Sequence, residues 1–101
     1  MVTCFFIDCA HNIMDFIALI DKILKPGGRW INFGPLLYHF ADMPNEWSIE
    51  PSYEIVRELI LKAGFKFEKE RTNQPATYCQ NPKSMLLYEY QCVFFSCMKN
   101  L

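Results

Sequence analysis

The stretch Ile31-Asn32-Phe33-Gly34-Pro35-Leu36-Leu37-Tyr38-His39-Phe40 begins with the pattern of a buried strand and breaks at Gly34-Pro35. Glycine can adopt a positive φ, and proline has a fixed φ and no backbone N–H, so regular structure stops at this pair. In open α/β sheets, ligands bind in the crevice beyond the carboxyl ends of the strands. The stretch therefore predicts that Tyr38 and His39 reach such a crevice. The alternative is a structural His39 that is hydrogen-bonded within the fold.

The segment before this stretch predicts a β-α-β unit. Residues 2–7, Val-Thr-Cys-Phe-Phe-Ile, are a nearly continuous apolar run, as in a parallel strand buried on both faces. Asn12 can cap a helix whose apolar residues recur at three- and four-residue spacing, and Pro26-Gly27-Gly28 ends that helix. Residues 29–33 then form the second strand.

A polar loop, residues 41–51, follows the central stretch and contains Trp47, which we interpret as a packing anchor for the loop. Ser52 is a suitable N-cap for a second helix, and Gly64 is a suitable stop signal.

The rest of the chain predicts two strands. Residues 65–70 alternate apolar and charged side chains, as a half-exposed strand does. Residues 72–84 have the composition of a polar loop, which contains Tyr78. Residues 86–98 form a long aromatic segment, predicted as the last strand, which contains Tyr90.

Composition limits the classes of function. The chain has 101 residues, of which 51% are hydrophobic and 16% aromatic, and its formal net charge is -1. A length of this kind suits one small domain. The near-neutral charge argues against a nucleic-acid partner, which needs a clustered basic surface. No apolar run approaches the roughly 18 residues of a membrane span, and the N-terminus has no signal-peptide pattern.

The five cysteines predict reduced thiols, with Cys4, Cys92 and Cys97 buried in apolar strands, in a protein of the cytoplasm or nucleus. A metal site built from Cys4, Cys9 and His11 is the alternative. Their spacing matches no familiar zinc pattern, so we expect no metal site.

The order of elements, together with the turn at residues 24–28 (Leu-Lys-Pro-Gly-Gly), resembles the second half of a class I S-adenosylmethionine-dependent methyltransferase. Three blocks are more specific: residues 4–8 (Cys-Phe-Phe-Ile-Asp), residues 10–12 (Ala-His-Asn) and residues 32–40. These blocks closely resemble the carnosine N-methyltransferase family, and the similarity extends over essentially all 101 residues.

The resemblance implies an enzyme that transfers a methyl group from S-adenosyl-L-methionine to an imidazole nitrogen of carnosine, a small dipeptide, to give anserine. It implies that Asp8 and His39 act in catalysis and that Asp8, His39 and Tyr90 contact the dipeptide. Tyr78 is a weaker candidate for the same pocket. From the residues alone, Asp8 could instead brace the loop before Asn12, and Tyr90 could simply pack on the sheet.

The resemblance also implies a Rossmann-like α/β fold of which residues 1–101 form the C-terminal, substrate-side portion, with strands in the order 4-5-7-6 and the last strand antiparallel. The glycine-rich turn and the acidic residue that hold the cofactor in this superfamily are not found in the sequence. We therefore assign no cofactor-binding residue, and we expect the chain alone to be inactive and not to bind S-adenosylmethionine measurably.

Two other functions remain open from the sequence. The chain could be a truncated, non-catalytic module that pairs with another chain, or self-associates, through the exposed edge strand of residues 2–7. It could also serve a methyltransferase that acts on another imidazole or amine.

Overall fold

A computed structural model describes all 101 residues, which form a mixed α/β fold of two helices and four strands. In chain order the elements are β1 (Val2–Cys4), a 3-10 helix (Ile7–Cys9), α1 (Ile13–Ile23), β2 (Arg29–Gly34), α2 (Tyr53–Lys62), β3 (Phe65–Thr77) and β4 (Glu89–Lys99). The α/β class expected from the sequence is confirmed. No helix of the structure is both long enough and apolar enough to cross a membrane.

The four strands form a single sheet in the order β1-β2-β4-β3. β1 is parallel to β2, as the predicted β-α-β unit requires, and β4 is antiparallel to both of its neighbours. The carboxyl ends of β1, β2 and β3 therefore lie at the same edge of the sheet as the amino end of β4. Segments that are far apart in the sequence meet at this edge.

Both helices contribute to one hydrophobic core on one face of the sheet. Trp30 of β2 and Phe95 of β4 are completely buried there, with α1 and α2 residues around them. The opposite face is largely open: Val2, Cys4 and Ile31 are exposed. The prediction that the first strand is buried on both faces, and with it Cys4, is therefore wrong, because the helices cover only one side of the sheet.

The first strand is also shorter than predicted, since it ends at Cys4 rather than Ile7. Phe5 has a positive φ of 51°, and the chain turns there into the 3-10 helix. The backbone of Phe5 crosses directly over Gly34: a Cβ on Gly34 would lie 2.9 Å from the Phe5 nitrogen. Only glycine permits this approach. The edge strand available for self-association is thus residues 2–4, not residues 2–7.

The two C-terminal strands differ from prediction at their bounds. β3 extends to Thr77, so residues 72–77 pair with β4 instead of forming a loop. The β3–β4 register is irregular at two places, Phe67/Lys69 and Arg71/Gln74. These irregularities interrupt the alternation of side chains, so the sequence pattern does not reveal the full length of β3. β4 begins at Glu89, and the apolar residues before it are exposed. Tyr78 and Tyr90 consequently lie at the loop end of the β3–β4 hairpin.

The helix boundaries follow the predicted signals closely. The side chain of Asn12 caps α1 by accepting the backbone N–H of Met14 at 3.0 Å. Ser52 is the N-cap residue of α2, although its hydroxyl makes no capping hydrogen bond. Gly64, with φ of 99°, follows the end of α2.

Candidate functional site

A small pocket lies at the sheet edge where the three carboxyl strand ends meet the start of β4. Its volume is about 110 Å³. The four residues predicted from the sequence, Asp8, His39, Tyr78 and Tyr90, all line it. Its other lining residues are Phe5, Pro35 and Leu37. The structure therefore brings the four predicted residues together, from four segments of the chain.

Asp8 is the buried acidic group of this pocket. It lies in the 3-10 helix, and only 2% of its surface is exposed. Its Oδ2 accepts the backbone N–H of Leu37 at 3.0 Å. Nδ1 of His39 lies 3.9 Å from Oδ1. A buried carboxylate with one good donor keeps the capacity to accept further hydrogen bonds or to face a cation.

His39 is attached to the backbone of Asp8 by two hydrogen bonds. Its backbone N–H and its ring Nδ1 lie 3.1 and 3.2 Å from the Asp8 carbonyl oxygen. Because a carbonyl oxygen only accepts hydrogen bonds, this contact places the ring proton on Nδ1 of neutral His39. Nε2 is then an acceptor, and it lies 3.7 Å from the Cys9 sulfur. More than half of the His39 side chain, 56%, is exposed.

From Gly34 to His39, alternate residues face two separate cavities. Pro35, Leu37 and His39 line the pocket, whereas Gly34, Leu36 and Tyr38 line a separate cavity. The Tyr38 hydroxyl donates to the carbonyl of Pro51 at 2.7 Å. The prediction that Tyr38 and His39 both reach the crevice is therefore correct for His39 only. Burial, followed by the charge of Asp8, raises the pKa of Tyr38 to about 12, so its hydroxyl stays protonated.

An aromatic wall of three residues forms the other side of the pocket. Phe5 stacks on Tyr78 with ring centroids 5.3 Å apart and meets Tyr90 edge-on at 5.7 Å. The two tyrosine rings lie 6.5 Å apart. The sequence-based reasoning missed Phe5, because it placed this residue inside a regular strand. The signal was Gly34, whose lack of a Cβ lets the Phe5 backbone cross over it.

The loop that follows His39 is held against the start of α1 by His11. The imidazole of His11 stacks between Phe40, at 3.6 Å, and Trp47, at 5.1 Å. Its Nε2 lies 2.8 Å from a carboxylate oxygen of Glu46. Trp47 thus contacts His11 as an anchor of the loop, in agreement with the prediction. The stacking of His11 could not be predicted from the sequence.

The alternative metal trio of Cys4, Cys9 and His11 is not assembled in the structure. His11 is occupied by Glu46 and the two aromatic rings, and Cys4 lies on the open face of β1. Cys9 instead groups with Asp8 and His39, and one possible ligand atom from each lies within 4.8 Å of the others. Burial, followed by the charge of Asp8, raises the pKa of the Cys9 thiol.

Comparison with known proteins matches the whole chain to one family. The family model for carnosine N-methyltransferase matches residues 1–101. The chain is 54% identical over 95 residues to carnosine N-methyltransferase of Rattus norvegicus, which covers 94% of the chain and 24% of that protein. It is 52% identical over 99 residues to carnosine N-methyltransferase unmet of Drosophila melanogaster, covering 98% of the chain and 22% of the relative.

A third relative, carnosine N-methyltransferase of Dictyostelium discoideum, is 55% identical over 98 residues, which is 97% of the chain and 20% of that protein. The chain thus spans between about a fifth and a quarter of the length of these curated relatives. A match over the full chain, at identities above half with proteins from an amoeba, an insect and a mammal, establishes the relationship. The chain belongs to the carnosine N-methyltransferase family.

Proposed function

We propose that this chain forms the acceptor-binding part of a methyltransferase that methylates an imidazole nitrogen of carnosine to give anserine. The observation that best supports this proposal is the pocket at the sheet edge. It presents a buried carboxylate, an imidazole acceptor and two phenols within one small space. These groups match a dipeptide that has an imidazole, an ammonium group, an amide and a carboxylate.

In this proposal Asp8 and His39 orient the acceptor ring. A neutral imidazole has one N–H and one nitrogen with a free lone pair. Asp8 Oδ1, which is not used by Leu37, and His39 Nε2, an acceptor in the tautomer set by the Asp8 carbonyl, share the single ring N–H in a three-centre hydrogen bond that fixes the tilt of the ring. The opposite ring nitrogen then holds its lone pair towards the incoming methyl group. Positioning of this kind accounts for much of the rate gain.

Asp8 also has a role after the new bond forms. When the ring nitrogen gains a methyl group, the ring becomes a cation. A buried carboxylate stabilises this cation more strongly than a solvated one would, because less water screens the pair. Asp8 then accepts the N–H proton from the other ring nitrogen and leaves a neutral N-methylimidazole. The phenols of Tyr78 and Tyr90 bind the amide or the carboxylate of the dipeptide.

The family implies S-adenosyl-L-methionine as the methyl donor, which supplies an electrophilic methyl group on sulfur. The pocket, at about 110 Å³, is smaller than the roughly 300 Å³ or more of typical cofactor pockets. We therefore assign no residue of this chain to the donor.

The relation to the class I methyltransferase sheet is part of the same proposal. The order β1-β2-β4-β3, with an antiparallel β4, supports an equivalence with strands 4-5-7-6 of that sheet. Ligands of such folds bind at the carboxyl ends of the strands, where Asp8 and His39 lie.

A chimera tests the proposal. The 95 matching residues of the rat enzyme would be replaced by this chain, and anserine formation from carnosine and S-adenosylmethionine would be measured. We expect turnover of carnosine. A matched control is Tyr88→Phe, at an exposed tyrosine outside the pocket, which should leave turnover unchanged. A folded, donor-binding chimera that methylates another imidazole or amine but not carnosine would contradict the proposal.

A further inference from the structure

Asp8, Cys9 and His39 bring three different metal-ligand atoms together beside the pocket. The Cys9 sulfur lies 3.7 Å from His39 Nε2 and 3.9 Å from Asp8 Oδ1. In a tetrahedral zinc site with bonds of about 2.0–2.3 Å, neighbouring ligand atoms are about 3.2–3.8 Å apart. The two separations from the Cys9 sulfur are therefore within a few tenths of an ångström of the spacing that a zinc ion requires, and all three ligand atoms lie within 4.8 Å of one another.

The orientation of His39 suits a ligand. Metal-bound histidines usually donate their second ring N–H to a carbonyl or carboxylate, which fixes the tautomer and the ring plane. His39 makes this contact, since its Nδ1 lies 3.2 Å from the Asp8 carbonyl oxygen. The lone pair of Nε2 is consequently directed to the side on which Cys9 lies.

Asp8 supplies a buried negative charge beside Cys9 and His39. Its side chain is 98% buried, and its only good donor, the Leu37 N–H, binds Oδ2. Oδ1 has only the weak Cys9 thiol contact at 3.9 Å. A buried anion without a full cationic partner is costly, and a bound cation would offset that cost.

We propose that Asp8, Cys9 and His39 bind a thiophilic divalent cation, with Zn²⁺ the best match, and that this cation excludes the imidazole acceptor from the pocket. One sulfur, one nitrogen and one oxygen ligand suit Zn²⁺, whereas Mg²⁺ and Ca²⁺ require oxygen ligands. Binding forms the Zn–S bond and releases the Cys9 thiol proton to solvent. The exposed side of His39 leaves a fourth position for water.

The exclusion of the acceptor rests on the proposed function, but cation binding does not. The acceptor model uses Asp8 Oδ1 and His39 Nε2 and assigns no role to Cys9. A cation bound to the trio occupies both of those atoms. Replacement of Cys9 therefore distinguishes the two binding events. Loss of its sulfur should weaken binding of the cation and leave binding of the acceptor unchanged.

Cobalt is the probe for binding, because Co²⁺ takes zinc sites and a cobalt–thiolate bond has a charge-transfer absorption band. We expect Co²⁺ to give this band with the 101-residue chain and Zn²⁺ to abolish it by displacement. Cys9→Ser should lose the band and weaken Zn²⁺ binding by about tenfold or more, the scale seen when a metal site is impaired. Cys79→Ser, at an exposed cysteine outside the pocket, is the matched control and should keep both.

Absence of the band, or equal loss in Cys9→Ser and Cys79→Ser, would overturn the site, provided that circular dichroism shows folded chains.

In the chimera, Cys9→Ser should keep turnover in metal-free buffer and lose inhibition by Zn²⁺. Carnosine itself binds divalent cations through its imidazole and amine, so free Zn²⁺ must be fixed with a metal buffer. Turnover without Zn²⁺ inhibition would reject the exclusion of the acceptor by the cation, and absence of turnover would reject the proposed function alone.

Discussion

His39 donates both its backbone N–H and its ring Nδ1–H to the same carbonyl oxygen of Asp8, at 3.1 and 3.2 Å. These two residues are 31 positions apart in the chain. The contact uses the main chain of Asp8, so the Asp8 carboxylate and the His39 Nε2 both stay available to a ligand. The expected effects of Asp8→Asn and His39→Ala depend on this arrangement.

Asp8→Asn in the chimera should lower kcat for carnosine by about 10²–10⁴-fold, the usual contribution of a positioned proton acceptor. Asparagine has nearly the same shape and can still accept the Leu37 N–H, but it has no charge and cannot take the ring proton. Steady-state kinetics would measure the loss, and circular dichroism would confirm folding. Asp42→Asn, at an exposed aspartate in the following loop, is the control. An Asp8→Asn enzyme with normal kcat would exclude the proposed role.

His39→Ala should lower methyl transfer by on the order of a hundredfold or more, the scale lost when a reacting group is misplaced. Donor affinity should hardly change. Since 56% of the side chain is exposed, its removal should cost little stability. A structural His39 would behave differently: the mutant would melt early, and activity would fall only with the folded fraction. Thermal melting, donor titration and kinetics on one variant distinguish these outcomes.

Much of the fold could be predicted because local signals and tertiary contacts agree. Asn12 and Gly64 mark helix ends as expected, and the break at Gly34-Pro35 delivers His39 to the sheet edge. The bounds of β1 and β3 could not be predicted. β1 ends where the Phe5 backbone crosses Gly34, and β3 is extended by pairing with β4, so both depend on contacts between distant residues.

The residues of the candidate site could be predicted, but their arrangement in space could not. Asp8, His39, Tyr78 and Tyr90 were identified through family resemblance, and the structure places all four in one pocket. Phe5 was missed as a pocket residue, because the predicted first strand, residues 2–7, continued through the turn at Phe5. Cys9 was considered only together with Cys4 and His11, so its position beside Asp8 and His39 was missed. In a regular strand, successive side chains point to opposite faces of the sheet. A segment interpreted as a strand therefore gives no indication of a turn that brings consecutive residues together.

Thr3→Val should lower the free energy of unfolding by about 1–3 kcal/mol, the cost of leaving a buried polar group unpaired. The Thr3 hydroxyl accepts the Trp30 indole N–H at 2.9 Å and donates to Asn32 Oδ1 at 2.8 Å, and all three residues are buried. Valine keeps the shape but removes both bonds. Val2→Thr, at an exposed neighbour on β1, should change stability by less than about 0.5 kcal/mol. Equal denaturant midpoints for Thr3→Val and the unmodified chain would contradict this role.

The chain should lose stability as pH rises from about 9 towards 12, partly because of Cys97. Burial, followed by the charge of Glu68, raises the pKa of Cys97 from 9.0 to about 12. Between these values the unfolded chain releases the thiol proton while the folded chain retains it, so unfolding becomes more favourable with pH, by up to about 1.4 kcal/mol per unit. Denaturation series at pH 8 to 10 should show a smaller slope for Cys97→Ala. Cys79→Ala, at an exposed thiol, should keep the full slope, and equal slopes for all three proteins would refute the assignment.

A crystal structure of the chimera with bound carnosine would show whether the pocket at the sheet edge holds the acceptor. We expect the imidazole ring in this pocket, within hydrogen-bonding distance of Asp8 Oδ1 and His39 Nε2, with the remainder of the dipeptide against Tyr78 and Tyr90. Carnosine bound at another place, with Asp8 and His39 free of the ligand, would contradict it.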